Sequence, residues 1–359
     1  MRRRTFLAQC AALVAPRPAI AGRLSAPLEV VACHRALRFL IDRQHEDGSW
    51  KSDVYGAFKD GRALTPLVSL ALTRVGSEIS RGAVAEAMPW IEAHTAGIAG
   101  MFPIHNASWI LQATAGGEDY ATLRQAMTGR LRQLQLNASL GWERRHPYFG
   151  GWSYAPLAPR AANETAPFQQ PNLSASVLAI AGLIASGTGA DAPIMRDALR
   201  FLRRCQNLPR GGRAPSRFDD GGFFQLHDDP SRNKAGLAGT DSDGRVYQRS
   251  YTSATADGLR GLTMCGLDQE DPGVAAATRW LDKNLRLDDV PDLRHYAAYS
   301  TALAGAILPT HAGARTWRKL VKISLLKDQR ADGSWQNTAG EMRENDPLVA
   351  TSLAVLALA

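Results

Sequence analysis

The chain contains no run of about 18 apolar residues, the length a bilayer-spanning helix requires. Its four cysteines form no C-x-x-C pair and no zinc-ligand spacing, so thiol redox and structural zinc are not expected, and no metal or other cofactor is implied. No lysine/arginine run is interleaved with aromatics. Nucleic acid is therefore not an expected partner, despite a formal net charge of +8. What remains is a 359-residue chain, 45% hydrophobic and 21% charged, in the range of a water-exposed globular fold.

The first residues read as a targeting segment. Arg3-Arg4-Thr5-Phe6-Leu7 is a twin-arginine pattern, an apolar stretch runs to about Ala15, and Ala19-Ile20-Ala21 offers a small-residue cleavage site. We expect residues 1–21 to be a twin-arginine-type signal peptide and the mature chain to be exported, periplasmic or extracellular. Removing them lowers the net charge from +8 to about +4. It leaves Cys33, Cys205 and Cys265, an odd number. All three lie in helix-like apolar surroundings and read as small core residues, with one disulfide as the alternative.

Two stretches end almost identically. Gln44-His45-Glu46-Asp47-Gly48-Ser49-Trp50 and Gln329-Arg330-Ala331-Asp332-Gly333-Ser334-Trp335 share Q-x-x-x-G-S-W. Weaker copies lie between them. Gln206 leads to Gly221-Gly222-Phe223, Gln135 leads to Gly141-Trp142 and then Gly151-Trp152, and Trp90 and Trp280 mark two further helix ends. Six units follow, starting near 39, 90, 130, 201, 280 and 324.

Apolar spacing predicts one set of amphipathic helices at about 28–44, 82–95, 119–135, 193–206, 272–285 and 314–328. A second set, at about 63–75, 107–115, 172–187, 253–266, 296–308 and 347–358, is more uniformly apolar and must be buried on most sides. The alternation implies two layers: an all-α, α6/α6 toroid with six inner and six outer helices. Neighbouring hairpins shield each other, so residues 22–359 are expected to be one domain, with insertions near 141–171 and 207–250. At each junction the glycine suits a left-handed turn and the tryptophan caps the helix ends while keeping one N–H donor. The glutamine pairs with orphan backbone groups.

These motifs resemble the squalene–hopene cyclase and protein prenyltransferase superfamily of α/α toroids, in particular its Gln-Trp motif. The resemblance includes Tyr251-Thr252-Ser253-Ala254-Thr255-Ala256-Asp257-Gly258-Leu259, Asp271-Pro272 with Trp280-Leu281, and His295-Tyr296-Ala297-Ala298-Tyr299, and it covers most of residues 28–359. It implies a single barrel with an apolar central cavity. Its chemistry carries over less well, because the alkene-protonating Asp-x-Asp-Asp motif has no complete copy. The prenyltransferase zinc set is also incomplete, its histidine position being matched by Tyr296. Asp288-Asp289-Val290-Pro291-Asp292 has only the spacing of a magnesium motif and reads as a polar connection.

Polar and aromatic residues at the starts of inner helices are the site candidates, because those termini present unpaired N–H groups at one mouth. We select Asp257 as a catalytic acid or base and His105, Trp109, Tyr251, His295, Tyr296 and Tyr299 as ligand-binding residues. The alternative for Asp257 is a favourable charge at a helix start, and for the histidines a satisfied rim position. The insertions, rich in aromatics and charge, either form a lid over the mouth or pack against the scaffold. Asp241-x-Asp243-Gly244 hints at calcium without the remaining ligands.

The sequence thus points to an exported terpenoid cyclase- or prenyltransferase-like protein that binds or transforms a small apolar, isoprenoid-like ligand. Two alternatives stay open. One is a non-catalytic toroid that scaffolds a protein partner; the other is a periplasmic polysaccharide-active toroid enzyme.

Overall fold

The computed structural model describes residues 27–95, 102–117, 119–161, 166–209, 214–226, 233–340 and 342–359. Residues 1–21, expected to be a targeting segment, with Cys10, and the insertion residues His227, Asp228 and Asp229 lie outside them. The described residues form an all-α toroid of twelve helices. In chain order these are α1 (Leu28–Ile41), α2 (Leu64–Val75), α3 (Glu78–Thr95), α4 (Pro103–Ala113), α5 (Ala121–Gln133) and α6 (Leu173–Ala185). There follow α7 (Pro193–Arg204), α8 (Thr252–Met264), α9 (Pro272–Asn284), α10 (Arg294–Ile307), α11 (Ala312–Asp328) and α12 (Pro347–Leu358).

The even-numbered helices touch in the order α2, α4, α6, α8, α10, α12, and α12 returns to α2. The inner barrel is therefore closed, and the odd-numbered helices pack on its outside. Composition explains the sorting. Every residue of α8 is buried, and in α6 all but Ile184. In α7 only Met195, Ala198, Phe201 and Leu202 are buried, a one-sided stripe. Two helices begin four residues earlier than apolar spacing predicts. Ser77 accepts from the Ser80 N–H and starts α3, and Pro103 at the first position presets α4. Spacing registers only the first inward-facing side chain, so polar or proline first turns escape it.

Four junctions share one hydrogen-bonding scheme. Gln44, Gln135, Gln206 and Gln329 each donate from Nε2 to the carbonyl of a loop glycine (Gly48, Gly150, Gly221, Gly333) and to a carbonyl of another outer helix. Each of these glycines has a left-handed φ, from 82° to 90°. Trp50, Trp152 and Trp335 donate Nε1–H to Leu40, Leu131 and Leu325 near the ends of outer helices, at 2.7–2.8 Å. Their backbone N–H groups, and that of Phe223, donate to hydroxyls of Thr65, Ser176, Thr351 and Thr255 on the inner helices, each at 3.0 Å. Of the two tryptophans after Gln135, the one at the junction is thus Trp152 rather than Trp142, and Phe223 takes the place of the tryptophan at the Gln206 junction.

In both of these middle units extra residues fall between the glutamine and the glycine, and again between the aromatic residue and the next inner helix. The first insertion buries Trp142, Tyr148 and Phe149 as a separate small core, pinned where Arg204 donates to the His146 carbonyl at 2.7 Å. The second carries an antiparallel ribbon, β1 (Leu237–Thr240) and β2 (Val246–Gln248). Cys33, Cys205 and Cys265 are buried and not disulfide-bonded, and burial pushes the Cys33 and Cys265 thiols up to about 12.

Candidate functional site

The barrel encloses a cavity of about 660 Å³ at the N-terminal ends of the inner helices. All six contribute, each from its first two turns: Leu64 and Leu67 (α2), His105 and Trp109 (α4), Ser174 and Leu178 (α6), Asp257 (α8), Tyr296 and Tyr299 (α10), Val349 and Leu353 (α12). From the ring order, the aromatic walls α4 and α10 stand opposite each other. The aliphatic pair α12 and α2 faces the more polar pair α6 and α8. Six N-termini aimed one way give the mouth a positive potential.

Asp257 is the ionisable centre of this cavity. Its Oδ1 accepts from Arg260 at 2.9 Å and its Oδ2 from the Tyr296 hydroxyl at 2.7 Å. Both Asp257 and Arg260 are almost fully buried. Arg260 lies one turn on along α8, with its guanidinium 5.3 Å from the Tyr299 ring centroid. Burial pushes the Asp257 carboxyl above its ordinary value, and Arg260 and Tyr296 oppose that shift without cancelling it. Burial also works against the Arg260 charge, but Tyr299 and Asp257 around it more than offset this. The Tyr296 hydroxyl is held well above its usual range by burial and by the neighbouring carboxylate. It therefore stays protonated and links the buried pair to the cavity.

On the opposite wall, His105 is packed among Phe102, Trp109 and Tyr154, with ring centroids 5.4–5.7 Å away. Its Nδ1 is buried without a hydrogen bond. The ring opens to the cavity rather than to bulk water, and burial lowers its pKa to about 4. A neutral imidazole with an unanswered nitrogen in an aromatic cage is suited to meet a polar atom of a ligand.

Five of the seven selected residues thus share one cavity: His105, Trp109, Asp257, Tyr296 and Tyr299. Tyr251 and His295 are not in its lining. Tyr251 is buried behind it, its hydroxyl donating to Gln225 Oε1 at 3.2 Å. His295 is buried against Glu344, 3.0 Å from Nδ1 to Oε2. Glu344 also receives the backbone N–H groups of His295 and Tyr296, each at 2.8 Å, so it caps α10. Both side chains are consumed by the second turn of contacts around the cavity.

Several residues of the site carry no sequence signal that singled them out. Arg260 could have been found from its i, i+3 spacing to Asp257 inside an apolar helix. Gln225 and Glu344 come from loops remote in sequence and gave none. Gln225 joins Tyr154, Asn172 and Ser174 in a network of contacts at 2.9–3.3 Å along the polar wall. Phe102 and Arg343, the two non-glycine residues with left-handed φ among the described residues, both line the cavity. Among the described residues, the other aspartate motifs are engaged structurally. Asp220 accepts from Ser250, Gly222 and Trp280, Asp289 from the Thr252 N–H at the start of α8, and Asp241 closes a turn through the Asp243 and Arg245 N–H groups.

No family model and no curated protein matches this chain. Solved structures do. A protein from Actinoplanes is similar at 18% identity and TM-score 0.58, over 92% of this chain and 98% of that one. The type II terpene cyclase MstE from Scytonema, in its apo form, is similar at 17% and 0.56, over 92% and 97%. The GH76A alpha-1,6-mannanase from a Salegentibacter species is similar at 11% and 0.59, over 92% and 97%. At these identities the likeness establishes the α/α toroid and leaves the chemistry to the cavity.

Proposed function

We propose that this protein is terpenoid cyclase-like and binds, for transformation, an apolar isoprenoid-like ligand in the central cavity. The carrying observation is the lining. A 660 Å³ space walled by Phe58, Phe102, Trp109, Tyr154, Tyr296, Tyr299 and aliphatic side chains holds a single buried Arg–Asp–Tyr relay. The volume lies within the range of small-molecule sites. Apolar walls favour a greasy chain, and aromatic faces stabilise cationic character that develops along it. Asp257, through Tyr296, is the proton-transfer group of this reading. As a carboxylate that accepts from Arg260 and Tyr296 it serves as the base, taking a proton from the ligand through the Tyr296 hydroxyl, and it does not supply the strong acid of the missing Asp-x-Asp-Asp motif. MstE, of the same fold, has been solved with geranylgeranyl dihydroxybenzoate as substrate, which supports an isoprenoid chain as the occupant of such a barrel.

The polysaccharide-active reading rests on the mannanase likeness. An inactive variant of that mannanase, with two aspartates replaced by asparagine, has been solved with alpha-1,6-mannotriose. In the present cavity the carboxyls, Asp257 and Glu344, are tied to Arg260 and His295, and Leu64, Leu67, Val349 and Leu353 form an aliphatic wall, an arrangement that favours isoprenoid over sugar. The scaffold reading expects a plugged centre, which the cavity does not match.

The test is an organic extract of the purified protein analysed by mass spectrometry, together with titration by an isoprenoid alcohol and by mannotriose. We expect a co-purifying isoprenoid or saturable binding of the alcohol, weakened by Tyr296→Phe. Binding of mannotriose alone, or of neither probe with an empty extract, rejects the proposal.

A further inference from the structure

Where the aromatic wall of α4 meets the polar wall of α6, two buried polar atoms have no partner in the protein: Nδ1 of His105 and Nδ2 of Asn172. Both residues line the central cavity. Tyr154 connects them. Its ring centroid is 5.4 Å from that of His105, and its hydroxyl lies 2.9 Å from Ser174 Oγ, which donates to Asn172 Oδ1 at 3.1 Å. Buried donors and acceptors are almost always met, so two unmet ones in a single cavity call for a group from outside the chain.

The fold fixes both side chains. Asn172 caps α6, its Oδ1 accepting from the Ala175 N–H at 3.0 Å and also from Gln225 Nε2 at 3.1 Å. With the oxygen so committed the amide cannot turn over, and its NH2 group is left without an acceptor. His105 is held by the rings of Phe102, Trp109 and Tyr154. Phe102 takes its place with a left-handed φ of 59° directly before Pro103. That conformation is costly for a residue with a side chain, and such strain collects at ligand clamps. Burial keeps the His105 ring neutral at neutral pH, so it presents a lone pair as well as one N–H. A hydroxyl answers both orphans, because it accepts from an amide and donates to an imidazole. An ether answers only the amide, and a hydrocarbon answers neither.

Resting on the isoprenoid reading of the cavity, we propose that the ligand is an isoprenoid alcohol whose hydroxyl accepts from Asn172 and donates to His105. These two residues then determine specificity. They hold the polar end of the ligand at the α4–α6 corner and leave its chain to Tyr296 and Asp257, on α10 and α8.

The experiment is titration of the full chain, followed by tryptophan fluorescence, with farnesol, farnesyl methyl ether and the hydrocarbon farnesene. We expect wild-type protein to bind the alcohol about tenfold or more tighter than the ether, and the ether tighter than the hydrocarbon. His105→Phe should erase the preference for alcohol over ether. Asn172→Asp keeps the capping oxygen and should erase the preference for ether over hydrocarbon. Each ratio is measured within one variant, so a general loss of affinity does not disturb it, and thermal melting shows that the variant is folded. Equal binding of alcohol and ether by wild-type protein overturns the hydroxyl assignment and leaves the isoprenoid reading standing. Binding of none of the three overturns both. An alcohol preference that survives both substitutions places the hydroxyl elsewhere and also overturns the proposal.

Discussion

Asp257 accepts from Arg260 on one oxygen and from Tyr296 on the other, so removing its charge alone strands a buried guanidinium. Asp257→Asn should cost about 3–5 kcal/mol of stability, read by chemical denaturation. Asp257→Leu combined with Arg260→Met removes both charges and should recover most of that loss while abolishing any proton transfer. A result in which the double variant is the less stable would show that the pair is a net stabiliser. His105 gives a pH signature. Its folded pKa of about 4 lies below its unfolded value near 6.5. The unfolded chain thus binds more protons between these values, and stability is lost as pH falls from about 6.5 to about 4. The loss should amount to roughly 2–3 kcal/mol, and His105→Phe should flatten it. Asp257 and Tyr296 were legible in the sequence because a polar group near the start of an apolar helix is conspicuous. The engagement of His295 and Tyr251 was not, because their partners Glu344 and Gln225 arrive from loops whose paths no local pattern encodes.

The junctions show how much a short motif specifies. At Gly333 an added Cβ would lie 2.5 Å from the Arg35 carbonyl oxygen, and at Gly48 2.2 Å from that of Glu86. Both glycines also have left-handed φ. Gly333→Ala should therefore lower stability by about 2–4 kcal/mol in thermal unfolding. Gln329→Leu strands the carbonyls of Ala32 and Gly333, and should cost about 1–3 kcal/mol. Loss of less than about half a kcal/mol in either variant would mean that the motif marks the junctions without holding them. The helices were legible because one-sided and all-round apolar patterns sort them into two layers. The Gln135 junction was left with two candidates because Trp142 follows a glycine just as Trp152 does. Only packing distinguishes them: Trp152 reaches α5, while Trp142 bonds the Pro159 carbonyl within its own insertion. Phe223 was harder to read, since it keeps the packing and the backbone bond but has no indole N–H.

Closure of the ring joins chain segments almost 300 residues apart. Gln329 donates to the Ala32 carbonyl, Arg35 to the Arg330 carbonyl, and Ser52 to the Asp346 carboxylate that also caps α12. Asp346→Ala removes both a cap and a closing bond and should lower stability by about 1–3 kcal/mol. Because no inner helix has a free side, that loss should appear in one unfolding transition rather than as separate melting of the last hairpin. Closure is also what makes a cavity possible, since aliphatic, aromatic and polar walls face each other only in a complete ring. The most direct test of the account is a crystal structure of the protein grown with an isoprenoid alcohol. The account predicts the chain lying between Trp109 and Tyr296, along the aliphatic wall of α2 and α12, with Tyr296 still bonded to Asp257. An alcohol bound elsewhere, or a barrel whose centre stays empty at saturating ligand, would contradict it.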